Sequence, residues 1–302
     1  MSQPKHIAII GAGIAGAACA AALTHAGHTV SLFEKSRGAG GRMSTRRGDG
    51  WQCDHGAQYF RARDPLFQAE VDQWERAGVV AAWEGRIVMH GATSEPSPEA
   101  HLKRYVGTPA MTAPARYAAR LANLLTSHTI NNVVRNDTGW QLSCAETGLL
   151  PTRFDGVIVA TPAPQAVPLL APIAPDLAAL ARQTEMLPCW ALMLNYDTPI
   201  DLPFDGAFIS AGPLGWVARD SSKPGRHGPE TWLVHANARW SENHIESTAQ
   251  DVIAELQAAF MQLGAPVPNH ASAHRWRYAD VAPAPLPGYC WNPAQGLGVC
   301  GD

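Results

Sequence analysis

The chain has 302 residues and a formal net charge of −3 at pH 7, a length that suits about two domains. Hydrophobic residues make up 46% and charged residues only 16%, against the usual ~25% charged. That balance excludes a broadly basic nucleic-acid or membrane-surface binder and excludes disorder driven by charge.

The opening reads as strand, glycine turn, helix, strand. HIAII (6–10) is an uninterrupted apolar run, as a parallel strand buried on both faces requires. Residues 14–26 are Ala-rich and helical, Gly27 stands where a helix ends, and TVSLFE (29–34) completes a βαβ unit. The apolar stretch 7–23 is too short to span a bilayer and carries spaced glycines, so it reads as this unit and not as a signal peptide. A Gly/Arg-rich loop (36–50) follows, then a helix over 65–77 with Asp64 as its N-cap. EGRIVMH (84–90) and KRYVG (103–107) read as two strands joined by the polar loop GATSEPSPE. A helix is predicted over 113–127 with Pro114 in its first turn, then a hairpin from 129–137 and 139–146. FDGVIVATP (154–162) is a buried strand stopped by Pro162, and 163–183 is partly helical.

From 187 to 240 the pattern becomes antiparallel: CWALMLNY, GAFIS, GWVARD and TWLVHANA alternate with Gly/Pro turns. A helix over 246–263 places Val252, Leu256 and Phe260 on one stripe. HRWRYA (274–279) is a strand whose alternation puts Arg275 and Arg277 on one face and Trp276 on the other, and GLGVCGD (296–302) begins a further unit. The six cysteines form no CxxC pair and the twelve histidines no HExxH, so reduced cytosolic thiols and no metal site are expected.

GAGIAG matches GxGxxG. Gly11 permits the tight turn, Gly13 lets a pyrophosphate approach the backbone, and Gly16 allows the helix to pack closely. With Ala12, Ile14 and Ala15 they form the candidate phosphate loop, and Glu34, 23 residues beyond Gly11, is placed to accept ribose hydroxyls. Lys35, Gly41, Arg42 and Met43 follow; a guanidinium just after the ribose carboxylate can take a diphosphate in a bidentate manner. NAD-binding Rossmann domains have no need of that element, which resembles the GGR segment of the FAD-dependent amine oxidase and protoporphyrinogen oxidase superfamily. In DHGAQYF (54–60), Gly56 and Ala57 would let backbone approach a flat ring, and Gln58 or Tyr59 could hydrogen-bond to it; a half-buried loop with a core aromatic is the plainer reading.

Taken together, EKSRGAGGRMSTRR, DHGAQYF, WVARDSSKPGR (216–226), HRWRYA and GLGVCGD resemble the renalase family, particularly its bacterial branch, across essentially the whole chain. The resemblance implies an α/β fold: a Rossmann-type FAD-binding domain interleaved with a smaller α+β substrate domain on a mostly antiparallel sheet. The first is expected over 1–80, 106–165 and 286–302, the second over 81–105 and 166–285. It implies non-covalent FAD, with DHGAQYF passing the isoalloxazine, Val133 and Val134 beside the adenine, and Thr161 under the diphosphate. Asp302 would bond the ribityl chain and a closing helix would follow it. The implied reaction oxidises 2- or 6-dihydro-NAD(P) isomers to NAD(P)+ by hydride transfer to flavin N5, with O2 reduced to H2O2. The implied partners are that small molecule and O2, with no nucleic acid or membrane, in the cytoplasm.

Hydride transfer needs a ring stacked on the flavin in a dry pocket and no protein base, so no catalytic residue is named. Candidate substrate contacts are Tyr59, Trp190, His235, Arg275, Trp276 and Trp291, each of which also reads as core or solvated face. Amine oxidation is the competing enzymatic reading. Many flavin amine oxidases hold a lysine near N5, yet Lys5, Lys35, Lys103 and Lys223 all fall at unconvincing positions, Lys223 in a Gly/Pro turn. A flavin-binding redox sensor is the non-enzymatic alternative.

Overall fold

The computed structural model describes residues 3–91 and 103–301. The chain divides into two compact units interleaved in sequence: Met1–Arg42, Pro114–Met186 and Val281–Asp302 form the first, Met43–Ala113 and Leu187–Asp280 the second.

The first unit is built on a six-stranded sheet in the order Tyr289–Asn292, Leu297–Cys300, Gly156–Val159, His6–Ile10, Thr29–Glu34, Asn123–Thr126. All neighbours are parallel except the outermost pair, Tyr289–Asn292 with Leu297–Cys300. Both faces are covered, which is why the first strand is apolar at every second and every other position alike. Ile7, Ile9, Val30 and Leu32 pack against Ala17 and Ala20 of the helix Ile14–His25 and against Ala118 and Ala119. Ala8, Ile10, Phe33, Val157 and Val159 pack against Trp140, Leu142 and Phe154 of a three-stranded antiparallel sheet (Ile130–Asn136, Gly139–Cys144, Gly148–Phe154) and against the helices Ala163–Leu170 and Pro175–Arg182.

The second unit holds a six-stranded sheet in the order His270–Val281, Met186–Tyr196, Glu230–Ala236, Leu214–Arg219, Gly206–Ile209, Ile87–His90. Its central pairs are antiparallel, and Gly206–Ile209 with Ile87–His90 is parallel. One face buries Trp190, Leu192, Leu194, Trp232 and Val234 beneath Val252, Leu256 and Phe260 of the helix Ala249–Met261. On the other, Ala191, Met193 and Leu233 meet Cys53 of the strand Gln52–Asp54, half of a hairpin with Thr45–Arg47. That packing lays residues 54–60 down at a defined place on the sheet.

Several expectations are corrected. The helix expected over 113–127 ends at Ala119, because Asn123–Thr126 instead joins the sheet beside Ser31–Glu34, with Leu124 and Leu125 packing on opposite faces. The strands read at 84–90 and 103–107 do not pair: Ile87–His90 joins Gly206–Ile209, and Tyr105–Gly107 pairs with Val80–Ala82. Most of the polar loop expected between them lies outside the described residues. The hairpin at 129–146 gains a third strand that takes Phe154, shortening the next strand to Gly156–Val159. The unit boundaries also move. Residues 43–80 and 106–113 belong to the second unit, where Asp54 pairs with Lys223 and Arg226, while 166–186 stay with the first, where Leu169, Leu170 and Leu177 join its core. The second unit consequently holds the greater share of the chain.

Candidate functional site

In the first unit, Gly11 sits between the first strand and its helix at φ +105°, and a Cβ there would lie 2.6 Å from the carbonyl oxygen of Ala160. A Cβ on Gly16 would run into the carbonyl of Gly11, so both positions are closed to side chains by the protein itself. Gly13 differs. Nothing lies within 4 Å of where its Cβ would be, and it caps the helix Ile14–His25 with no side-chain hydrogen bond. The space on the Cβ side of Gly13, at the N-terminus of the helix, is therefore open to an anion.

Glu34 ends the second strand and is buried. Its Oε2 accepts from the Ala12 amide at 2.9 Å and its Oε1 from the Ser36 amide at 2.8 Å, leaving one lone pair on each oxygen for a further donor. The Gly40 amide donates to Ala12 O at 2.9 Å, which brings the Gly41-Arg42-Met43 turn beside the glycine loop. Lys35 Nζ reaches Gln165 Oε1 at 3.3 Å. Thr161 Oγ1 is a buried hydroxyl without a hydrogen-bond partner, just beyond the strand Gly156–Val159. Val133 is buried and Val134 is 38% exposed on the adjacent three-stranded sheet. Asp302 lies outside the described residues.

The second unit holds the 54–60 segment by both shoulders. The His55 carbonyl accepts from Trp276 Nε1 at 2.9 Å and lies 3.2 Å from His235 Nε2. Gln58 Nε2 donates to Asp54 O at 2.5 Å and Gly56 O at 3.0 Å, while its Oε1 accepts from Lys223 Nζ at 3.0 Å. Gly56 and Ala57 lie half-buried between these anchors. Gln58 thus spends both amide hydrogens on the protein and keeps one lone pair on Oε1, so a ring hydrogen bond from Gln58 would have to be accepted there. Burial drives the His55 imidazole down to about 3, with His274 beside it adding to the shift, and burial drives His235 down to about 4. His274 is lowered by burial and by Arg46. All three rings are therefore neutral at neutral pH. His55 and His274 are residues that periodicity could not single out.

Lys223 is the larger omission. It is 2% exposed, not a solvated turn residue, and its ammonium lies 2.8 Å from Asp220 Oδ1 and 3.5 Å from Asp54 Oδ2. Asp54 also accepts from Thr45 Oγ1 at 2.6 Å, from the Met111 amide at 3.1 Å and from Arg226. Burial pushes the Asp54 carboxyl up, but Lys223 and Arg226 outweigh it and hold it low; burial leaves Asp220 raised.

Of the substrate candidates, Tyr59 has the most distinctive surroundings. Its ring lies 5.6 Å from Trp216 and 6.4 Å from Trp83, with the Arg104 and Arg61 guanidinium carbons 5.5 and 5.7 Å from its centroid. Trp190 is core, its indole donating to His244 O at 2.9 Å. Arg275 and Arg277 both pair with Glu246; Arg277 is exposed, whereas Arg275 is half-buried, donates to Ile245 O at 2.5 Å and lies over the Trp190 ring. Trp291 is 44% exposed on the outermost strand of the first unit, its ring laid against Gly298. Trp276 and His235 come together at His55.

Comparison with protein families matches residues 9–74 to an NAD(P)-binding Rossmann-like domain and residues 102–293 to the flavin containing amine oxidoreductase family. The chain belongs to the flavin-containing amine oxidoreductases. Among curated relatives, the L-amino-acid oxidase of Bothrops pauloensis is 47% identical over 57 residues, 18% of this chain and 11% of that protein. The L-amino-acid oxidase of Notechis scutatus scutatus is 46% identical over 72 residues, 23% and 14% of the two chains. The chain thus spans only about a tenth of the length of these relatives in the matched segment. Solved structures share the fold across nearly the whole chain. A protein of Exiguobacterium sp. 255-15 described as a protoporphyrinogen oxidase has a TM-score of 0.70 at 12% identity, covering 93% of this chain and 88% of its own. Putrescine oxidase bound to putrescine has 0.68 at 16%, covering 90% and 85%.

The cofactor of this amine oxidoreductase is FAD, and the first unit fits it. The open space at Gly13, the uncapped helix N-terminus, the spare acceptor capacity of Glu34 and the unpartnered Thr161 hydroxyl are what a dinucleotide would fill. Among the described residues no helix is long and apolar enough to cross a membrane.

Proposed function

We propose that this flavin oxidoreductase is a renalase-type oxidase that converts 2- or 6-dihydro-NAD(P) isomers to NAD(P)+. Overall, the dihydronicotinamide gives up a hydride, and O2 with one proton becomes H2O2. Bound FAD supplies the hydride acceptor and the route to O2. Gly11 to Gly16, Glu34, Lys35, Gly41, Arg42, Met43, Val133, Val134, Thr161 and Asp302 are its proposed contacts in the first unit, with Gly56, Ala57 and Tyr59 proposed to meet the flavin ring and substrate. The six free thiols suit a cytoplasmic setting.

The observation that carries the substrate class is the company Tyr59 keeps. Two guanidinium groups over the Tyr59 ring, with Trp83 and Trp216 tilted against it, gather positive charge and aromatic surface in one place, which suits a planar ring attached to phosphates. Lys223 gives no support to amine chemistry, because its ammonium is taken by Asp220 and Gln58. The neutral imidazoles of His55 and His235 suit a dry site in which no proton need be removed from the ring.

The test is anaerobic mixing of the FAD-loaded protein with borohydride-generated dihydro-NAD isomers and, separately, with putrescine and L-amino acids. Rapid bleaching of the flavin by the isomers alone is expected, followed by H2O2 release on admitting air. Bleaching only by amines would replace this reading with an amine oxidase, and bleaching by neither with a redox sensor.

A further inference from the structure

The second unit contains a fully buried, charge-balanced cluster: Asp54 and Asp220 against Lys223 and Arg226, with Asp54 and Asp220 no more than 1% exposed. Burying four ions is costly, and each must find partners to be retained. Here the partners run from the charges into one stretch of backbone. Lys223 holds Gln58 Oε1, and Gln58 Nε2 holds the carbonyls of Asp54 and Gly56. The Asp54 carboxylate fastens the segment's start to Thr45, to the Met111 amide and to Arg226, whose guanidinium also reaches Gly107 O at 2.6 Å. The next carbonyl, of His55, is held by Trp276 with His235 at its side. The carbonyls of Asp54, His55 and Gly56 are thus all held, and between the buried Asp54, His55 and Gln58 only Gly56 and Ala57, the two smallest residues, reach the surface.

We infer that this ion cluster is a positioning device for the Gly56-Ala57 backbone, with Lys223 acting through Gln58 to hold that backbone at the height a planar ligand requires. A packing role alone would be served as well by apolar side chains of the same volume. A segment anchored on both sides with its small residues left bare is instead the arrangement that presents rigid backbone to a ring. The inference rests on the proposal that Gly56 and Ala57 meet the flavin ring, and it holds whichever substrate is used.

Lys223→Met alone strands the buried Asp220 carboxylate, so the test uses two gentler variants: the charge-balanced pair Asp220→Asn with Lys223→Met, which leaves Asp54 and Arg226 matched, and Gln58→Leu. Each is loaded with FAD and compared with the parent in its visible flavin spectrum, its reduction potential against a reference dye, and its thermal unfolding. Both variants are expected to bind FAD and unfold cooperatively close to the parent while the flavin bands and potential shift. The limiting rate of flavin reduction by a working substrate should fall by about 10- to 100-fold, with KM moving less than about threefold. Parent-like spectra and potentials in both would overturn the inference, as would loss of folding in both, since the cluster would then be a folding element only. Spectrum and potential need no substrate, so a wrong substrate assignment leaves them readable.

Discussion

The three glycines of the opening turn have different reasons to be glycine, and a methyl group separates them. Gly11→Ala puts a Cβ against Ala160 O at positive φ, so it should destabilise the apoprotein by about 1–3 kcal/mol. Gly13 has ordinary extended backbone, φ −67° and ψ 178°, and nothing near its Cβ position. Gly13→Ala should therefore cost the apoprotein no more than about 1 kcal/mol, the loss expected when Ala replaces Gly at a helix N-cap, yet weaken FAD binding by about tenfold or more. Denaturant melts and flavin titrations of the two variants check this; equal effects on both quantities would contradict it. The histidines make a second residue-scale prediction. His55, His235 and His274 are all lowered in the folded state, so the unfolded chain binds protons that the folded chain refuses. Stability should be full above the unfolded value near 6.5 and fall as pH drops toward 4, by up to about 1.4 kcal/mol per pH unit for each histidine. Urea midpoints between pH 7.5 and 4.5 measure it, and a flat profile would show that these rings are not held neutral. The spacing of Gly11, Gly16 and Glu34 was readable because it is local. Lys223 was not, because its partner Asp54 is 169 residues away and a turn-rich sequence looks the same whether it is solvated or buried.

Elements with a single dominant period came through the sequence well. The helix Ala249–Met261 presents Val252, Leu256 and Phe260 inward as its spacing requires, and Phe260 meets Trp232 at 5.5 Å. Phe260→Ala should cost about 3–5 kcal/mol, read from the denaturant midpoint; a loss under about 1 kcal/mol would mean the site collapses around the gap. The stretch 113–127 shows the opposite case. Alanine-rich sequence predicts helix throughout, but Leu124 and Leu125 gain more by bridging the two faces of a sheet that had an open edge beside Ser31–Glu34. Propensity is outweighed there by partners that lie far away in the chain. The strand Tyr289–Asn292 escaped notice for a related reason: as an outer strand with Tyr289 and Trp291 exposed, it carries no buried alternation to read.

At the scale of the molecule, interleaving means that no contiguous half of the sequence contains a complete unit. A fragment of residues 1–113 would keep His6–Ile10 and Thr29–Glu34 of the first sheet but lose their neighbours Gly156–Val159 and Asn123–Thr126, and it would keep only Ile87–His90 of the second. It should show no cooperative far-ultraviolet melt and should not quench added FAD fluorescence; doing both would show that the first βαβ unit folds alone. Fold class was visible at this scale because the change from parallel to antiparallel patterning survives in composition. The boundaries were not, because they depend on which sheet the segment 43–80 packs upon.

The parallel ladder of the first unit has one more consequence. Ile10 stands level with Phe33 on one side and with Val159 on the other, and the chain breaks into the glycine turn, Glu34 and Thr161 within two residues of that line. The sheet acts as a ruler, so the place of each of these groups is set by how many residues separate it from the ladder, at about 3.3 Å per residue. Such a site forgives changes of side chain in the strands that keep them apolar. It does not forgive changes of length, because one inserted or deleted residue would both displace the turn and exchange the two buried faces.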